Sequence, residues 1–395
     1  MSAVKAGEEM TAGGEANETA VRYWDYLRDY RRHREELLAV VDSVLSSGRL
    51  ILGKRVESLE NKFSLYCGAR FGVGVNSGTD ALFLSLKALG IGEGDEVVTV
   101  ANTAVPTVAA IRSTGATPVF VDVEPDTFLM DVRLLPQVLT SRTRCVLPVH
   151  LCGQPVDLAP LQEFAELEGV EILEDCAQAA GATYRGRRVG SFGSIGAFSF
   201  YPTKILGGYG DGGMAVTSCE TLYRKLKRLR FYGMEGAYCS EEEGYNSRLD
   251  ELQAALLDFR LGLLEEEVGR RRAIAAMYSE HLSGVGDLVL PAEGKEREHR
   301  FYLYTIRTSF RGELMAFLAE KGVETRVNYP TPIHLMPGYR FLGYREGSLP
   351  VTERLAGEIL SLPMYHDLSD HEVWRVIEEI RCFFARDLPS ITRPA

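Results

Sequence analysis

No stretch of the 395-residue chain approaches the roughly 18 uninterrupted apolar residues that a membrane-spanning helix needs, and a helical membrane protein is thereby excluded. Positive charge is also scarce. The 44 Lys and Arg stand against 55 Asp and Glu, a formal net charge of −11, which leaves no electrostatic footprint for nucleic acid. The local run Arg270-Arg271-Arg272 reads as a solvated helix face. Paired cysteines are missing as well: Cys67, Cys145, Cys152, Cys176, Cys219, Cys239 and Cys382 are scattered, with no Cys-x-x-Cys pair and no histidine at ligand spacing. Reduced thiols, no metal and a cytoplasmic location are therefore expected. No apolar signal core follows the first charges, and neither an internal repeat nor a low-complexity linker is visible.

What is present is an ordinary globular composition, 45% hydrophobic and 25% charged, with length enough for one large domain and one smaller one. Residues 1–21, rich in Ala, Gly, Glu and Thr, are expected to form a flexible tail, residues 22–268 the large domain and 269–395 the small one. Helical spacing of Tyr23, Leu27, Tyr30, Leu37, Leu38, Val41 and Leu45 predicts a helix over 22–47. Apolar runs at 71–75, 96–100, 118–122, 144–149 and 170–175 suit buried strands, and the helical stretches between most of them argue for a mostly parallel sheet covered on both faces. A long helix over 249–282, bent near Gly262 or Gly269, leads to a strand at 301–307, a helix at 312–321 and a strand at 324–329.

Lys204 stands between the strand-like run Ile195-Gly196-Ala197-Phe198-Ser199-Phe200 and the turn Gly207-Gly208-Tyr209-Gly210. Upstream, the run Glu171-Ile172-Leu173-Glu174-Asp175 ends a second strand in acid. This layout suits a lysine that condenses with the aldehyde of a cofactor, and pyridoxal phosphate is the candidate. An isolated lysine would more often be one snorkelling from a strand end; the surrounding motif reverses that preference. Asp175 at the carboxyl end of an α/β strand lies where ligands bind, and alternation sends Glu174 to the opposite face. Ser77-Gly78-Thr79 follows a strand and opens a helix, where free amides and the positive helix end attract phosphate. The preceding Gly72-Val73-Gly74-Val75-Asn76-Ser77 imitates a dinucleotide fingerprint, but its third glycine is Ser77.

These segments, together with Asn246-Ser247-Arg248-Leu249-Asp250-Glu251-Leu252-Gln253-Ala254-Ala255, resemble the sugar aminotransferases of the DegT/DnrJ/EryC1/StrS family from about residue 22 to the end. The resemblance implies a fold-type I enzyme with a mostly parallel seven-stranded sheet and a small C-terminal α+β domain. It implies Lys204 as the residue joined to the cofactor, Asp175 at the pyridine nitrogen, Gln178 at the phenolic oxygen, and Ser77, Gly78, Thr79 and Ser199 at the phosphate. Asn246 would reach the phosphate of a neighbouring subunit in a homodimer, with a helix cap as its alternative. His334, Tyr201, Tyr329 and Arg248 match the substrate region; for His334 a surface histidine without chemistry is an equal alternative. The reaction implied is transfer of an amino group from L-glutamate to C3 or C4 of a nucleotide-linked, dTDP-type keto-6-deoxysugar. A dehydratase of the same family, with histidine for the lysine, and a regulatory binding protein on the same fold are the rivals. Two positions depart from the family pattern: Ala104 replaces the aromatic residue that stacks on the pyridine, and Cys152 replaces a tyrosine.

Overall fold

The computed structural model describes residues 20–236 and 238–386. Seven strands form the central sheet: β1 Phe71–Val75, β2 Glu96–Val100, β3 Thr117–Val121, β4 Thr143–Val146, β5 Glu171–Asp175, β6 Ile195–Ser199 and β7 Gly213–Thr217. Their order is β1-β7-β6-β5-β4-β2-β3; β7 alone runs against the rest. Nearly every residue of these strands is buried, as expected where helices cover both faces of a parallel sheet. The carboxyl ends of β1, β2, β5 and β6 therefore open on one edge.

The helix Lys54–Cys67 covers this sheet and has no side-chain cap of its own. Glu251 supplies one from a distance, accepting the amides of Gly53 at 2.9 Å, Arg55 at 3.0 Å and Val56 at 2.8 Å. A carboxylate at that positive end ties the helix to Glu251–Leu261, which packs beside it.

A second core gathers Tyr278, Tyr304, Leu314, Val376 and Ile380 around an antiparallel pair, β8 Tyr304–Arg307 with β9 Ile359–Leu362. The helix Leu264–Leu282 passes from the first core, at Leu264 and Val268, to the second, at Ile274 and Tyr278. Farther on, Ile333 and Leu349 return to pack against Phe120 beside the large sheet.

Several local expectations change. The helix expected over 22–47 is two, Tyr26–Arg32 and Arg34–Leu45, broken at His33 (φ −110°, ψ 20°). The break lets Arg28 and Arg32 turn to Glu372 and Asp367 while the second piece follows Glu251–Leu261. The stretch 249–282 breaks at Gly262-Leu263, and the second piece then carries the chain from the first core to the second. Residues 324–329 form no strand; only Arg326 bridges to Ser361, because β9 takes the place beside β8. Of the expected tail, residues 1–19 lie outside the described residues, while Val21 is bonded to Gly322 and Glu324 and buried in the second core.

Candidate active site

Lys204 lies past the end of β6, in a turn folded back on itself. The amide of Phe200 donates to the Gly212 carbonyl, that of Lys204 to Tyr201, and that of Gly208 back to Phe200. Gly207 is required there, since a Cβ on it would lie 2.3 Å from the Pro202 carbonyl oxygen. The turn projects the half-buried Lys204 into a cavity of about 240 Å³ at the carboxyl edge of the sheet. Ser77, Gly78, Thr79, Ala104, Thr107, Asp175, Gln178, Ser199, Tyr201 and Asp211 line it as well.

Asp175 closes the cavity floor. Its Oδ2 accepts from the Thr107 hydroxyl at 2.8 Å and its Oδ1 from the Ala177 amide at 3.1 Å. Burial pushes its carboxyl above the usual range; the Ala177 amide, the Thr107 hydroxyl and the charges of Lys204 and His150 only partly offset this. Glu174, one residue earlier, faces away and accepts from His150 Nε2 at 3.0 Å and from the amides of Gly190, Phe192 and Gly193 at 2.7–2.8 Å. Burial alone would raise Glu174, but His150 and those amides outweigh it and hold the carboxyl below its ordinary value.

On the opposite wall the helix Gly78–Ala88 begins. The first four amides of a helix have no intrahelical acceptor. Ser77 takes that of Asp80 through its hydroxyl at 3.1 Å, and its carbonyl starts the helical ladder by accepting from Ala81 at 2.9 Å; among the described residues the amides of Gly78 and Thr79, both at the cavity, have no acceptor. Gly78 packs so closely on β6 that a Cβ would lie 2.5 Å from that of Ser199. Gln178, buried rather than on an exposed helix, accepts from the Cys152 amide at 2.8 Å and donates to the Tyr329 hydroxyl at 3.1 Å; its second amide hydrogen has no acceptor among the described residues.

This donor set fits pyridoxal phosphate. A buried carboxylate with no bonded cation suits a protonated ring nitrogen, and a glycine-lined helix start with two open amides suits a phosphate. Where the family's aromatic residue would stand, Ala104 precedes the helix Val105–Ser113, and Pro106 and Leu82 complete an apolar wall.

The structure thus brings Ser77, Gly78, Thr79, Asp175, Gln178, Ser199, Tyr201 and Lys204 together, with Tyr329 directly behind Gln178. Asn246, Arg248 and His334 do not line the cavity within one chain. Asn246 is exposed beside Phe231; its neighbour Ser247 donates to Asp80 at 2.7 Å on the helix Gly78–Ala88. Arg248 lies over the rings of Phe231 and Tyr232. His334 is no surface residue: it is buried, 2.9 Å from Glu353 and near Phe120 and Tyr344. Sequence reasoning overlooked Thr107 and Tyr302. Thr107 had a signal, because Thr103 and Thr107 stand four apart at a helix start and their hydroxyls meet at 2.9 Å. Tyr302, whose ring centroid lies 4.7 Å from Lys204 Nζ, had none, being brought in from a remote segment.

Residues 31–381 match the DegT/DnrJ/EryC1/StrS aminotransferase family. The chain is 48% identical to a dTDP-3-amino-3,4,6-trideoxy-alpha-D-glucose transaminase of Micromonospora megalomicea subsp. nigra, over 91% of this chain and 97% of that protein. A transaminase of the same name from Streptomyces venezuelae is 45% identical, over 91% and 95%. A Geobacillus stearothermophilus relative named pleiotropic regulatory protein is 43% identical, over 91% and 97%. Among solved structures, S. venezuelae DesV in complex with a ketimine intermediate aligns with a TM-score of 0.91 at 44% identity, covering 93% of this chain and 99% of that one. The fold agrees with these likenesses, and the chain belongs to the DegT/DnrJ/EryC1/StrS aminotransferase family as a pyridoxal-phosphate-dependent sugar aminotransferase.

Proposed function

We propose that the chain transfers the amino group of L-glutamate to the keto carbon of a dTDP-linked keto-6-deoxysugar, at C3 in preference to C4, in deoxyaminosugar biosynthesis. The observation that carries the reading is the meeting of Lys204, the Asp175 carboxylate and the open amides of Gly78 and Thr79 in one cavity. The preference for C3 and for dTDP is supported by the names of the Micromonospora and Streptomyces relatives. Lys204 and Asp175, both present at the cavity, favour catalysis over the regulatory role that the Geobacillus name suggests.

When bound, pyridoxal phosphate supplies an aldehyde that condenses with amines and a ring that takes up the electron pair left when a proton leaves the donor carbon. In this reading Lys204 would hold the cofactor covalently and, while free of it, would serve as the base that carries the donor's α-proton. Asp175 would keep the ring nitrogen protonated, and Thr107 and the Ala177 amide orient its two oxygens. The Gly78 and Thr79 amides, with the Ser77 and Ser199 hydroxyls, hold the phosphate, and the uncommitted hydrogen of Gln178 serves the phenolic oxygen. Tyr201, half-exposed at the cavity rim, contacts substrate together with Tyr329, whereas Arg248, outside its own chain's cavity, would do so only in the site of a second copy. His334, enclosed by Phe120, Tyr344 and Glu353, supports that wall from behind.

Asn246 completes the phosphate site of a second copy of the chain in a homodimer. Its exposure outside its own cavity, on a loop anchored through Ser247, supports this. Mixing inactive Lys204→Ala chains with inactive Asn246→Ala chains should restore partial activity, because one site of each hybrid carries both defects and the other neither. Hybrids shown to form but remaining inactive would refute shared sites. The reaction itself is tested by supplying glutamate with 3-keto and 4-keto dTDP-sugars and reading products by NMR. A 3-amino sugar with its neighbouring hydroxyls intact is expected; loss of a hydroxyl would favour dehydration, and a 4-amino product would move the keto position.

A further inference from the structure

The amine of Lys204 makes no ion pair and no hydrogen bond among the described residues. Its charge is felt by Asp175, and the amine itself lies over the face of Tyr302, with Nζ 4.7 Å from the ring centroid. That ring is firmly set. Its hydroxyl lies 3.3 Å from the hydroxyl of Thr203, the residue before the lysine. On either side, the Leu303 amide donates to the Cys152 carbonyl at 3.3 Å, and the buried Arg271 donates to the Phe301 carbonyl at 3.3 Å and the Met364 carbonyl at 2.8 Å. A fixed aromatic face this close to an ammonium attracts it through the ring quadrupole.

We propose that Tyr302 is a catalytic residue that holds the charged amine of Lys204 during the half of the cycle in which the lysine is not joined to the cofactor. The inference rests on the covalent role proposed for Lys204. Joining lysine to cofactor forms a C=N bond, releases water and discharges the ammonium proton. Release of the lysine by an incoming amino acid restores the neutral amine, which becomes an ammonium on taking the donor's α-proton and, in its charged state, has its place on the ring. Tyr302 therefore favours the released lysine over the joined one, and its removal shifts that balance toward the joined form.

The sign of this effect separates it from structural damage, which weakens cofactor binding. Tyr302→Leu should hold pyridoxal phosphate about two- to fivefold more tightly, the range expected for one cation–π contact at a partly exposed site. It should also need a correspondingly higher ratio of glutamate to 2-oxoglutarate to reach half-conversion to the amine form, followed by absorbance in the holoenzyme. Tyr302→Phe, which keeps the ring, should match the parent on both counts. Replacing Tyr302 with phenylalanines of increasing fluorination preserves volume while weakening the quadrupole, so affinity should rise step by step even if the leucine variant folds poorly. Unchanged or weaker affinity across the fluorinated series, or a phenylalanine variant shifted as far as the leucine one, would overturn the proposal. Borohydride reduction followed by peptide mapping keeps the two readings apart: an adduct away from Lys204 removes the role assigned to the lysine, whereas an adduct on Lys204 with flat affinities removes only the role of Tyr302.

Discussion

On one face of β5, Glu174 is enclosed by His150 and three backbone amides; on the other, Asp175 meets one hydroxyl, one amide and an open cavity. The two carboxyls are chain neighbours and both are buried, yet Glu174 is held below its ordinary range and Asp175 is pushed above it. Burial has the same direction for both, so the difference lies in the number and charge of the donors supplied by the fold. Glu174 is complete within the chain and ties the turn after Gly190 to the strand. Asp175 is incomplete until a cation arrives, and an incomplete buried carboxylate at a strand's carboxyl end is a place for a ligand.

Breaking the complete side should have the largest effect on stability. Glu174→Ala strands an imidazole and three amides and should cost about 3–5 kcal/mol, read as a lower urea midpoint of the cofactor-free protein. A loss under about 1 kcal/mol would mean that water replaces the carboxylate without penalty. Breaking the incomplete side should instead damage turnover. Asp175→Asn cannot hold a ring proton by charge, and kcat should fall on the order of 10²–10³-fold, the scale of losing one preorganised electrostatic partner, while the far-ultraviolet circular dichroism is retained. Near-normal kcat would remove Asp175 from the mechanism.

Stability of the cofactor-free protein sharpens the contrast in sign. A carboxyl raised in the folded state, as Asp175 is, stabilises the fold below its unfolded value and costs stability as pH rises through the folded one. Asp175→Asn should therefore raise the midpoint of the cofactor-free protein at pH 7, and the gain should vanish on acidification below the reference value of 3.8. Glu174, lowered in the fold, contributes above its reference of 4.5 and loses that contribution as pH falls through its folded value, so Glu174→Gln should lower the midpoint at pH 7. Midpoints moving in the same direction for both variants would contradict the comparison. The smallest effect is expected from the support of Asp175: Thr107→Val should reduce kcat on the order of tenfold through one lost charge-assisted hydrogen bond, and Thr107→Ser should restore it. A valine variant at the parental rate with a serine variant below it would show that the methyl packing of Thr107, not its hydroxyl, matters.

The sequence by itself determined the mostly parallel sheet, because runs such as 118–121 and 145–149 are apolar throughout and separated by helical periods. It also determined the lysine turn and the helix start at Ser77-Gly78-Thr79, since glycine at a close approach and serine at an N-cap are local requirements that leave local marks. Tertiary structure alone decided what faces those elements. The ring of Tyr302 reaches Lys204 from a segment whose own sequence carries no sign of it. Glu251 caps a helix nearly two hundred residues away, β9 displaces the strand expected at 324–329, and His334 turns inward to Glu353. Periodicity and turn chemistry act within a few residues and are written in the order of the chain, whereas these contacts exist only after two cores have packed against one another and fixed which side chains meet.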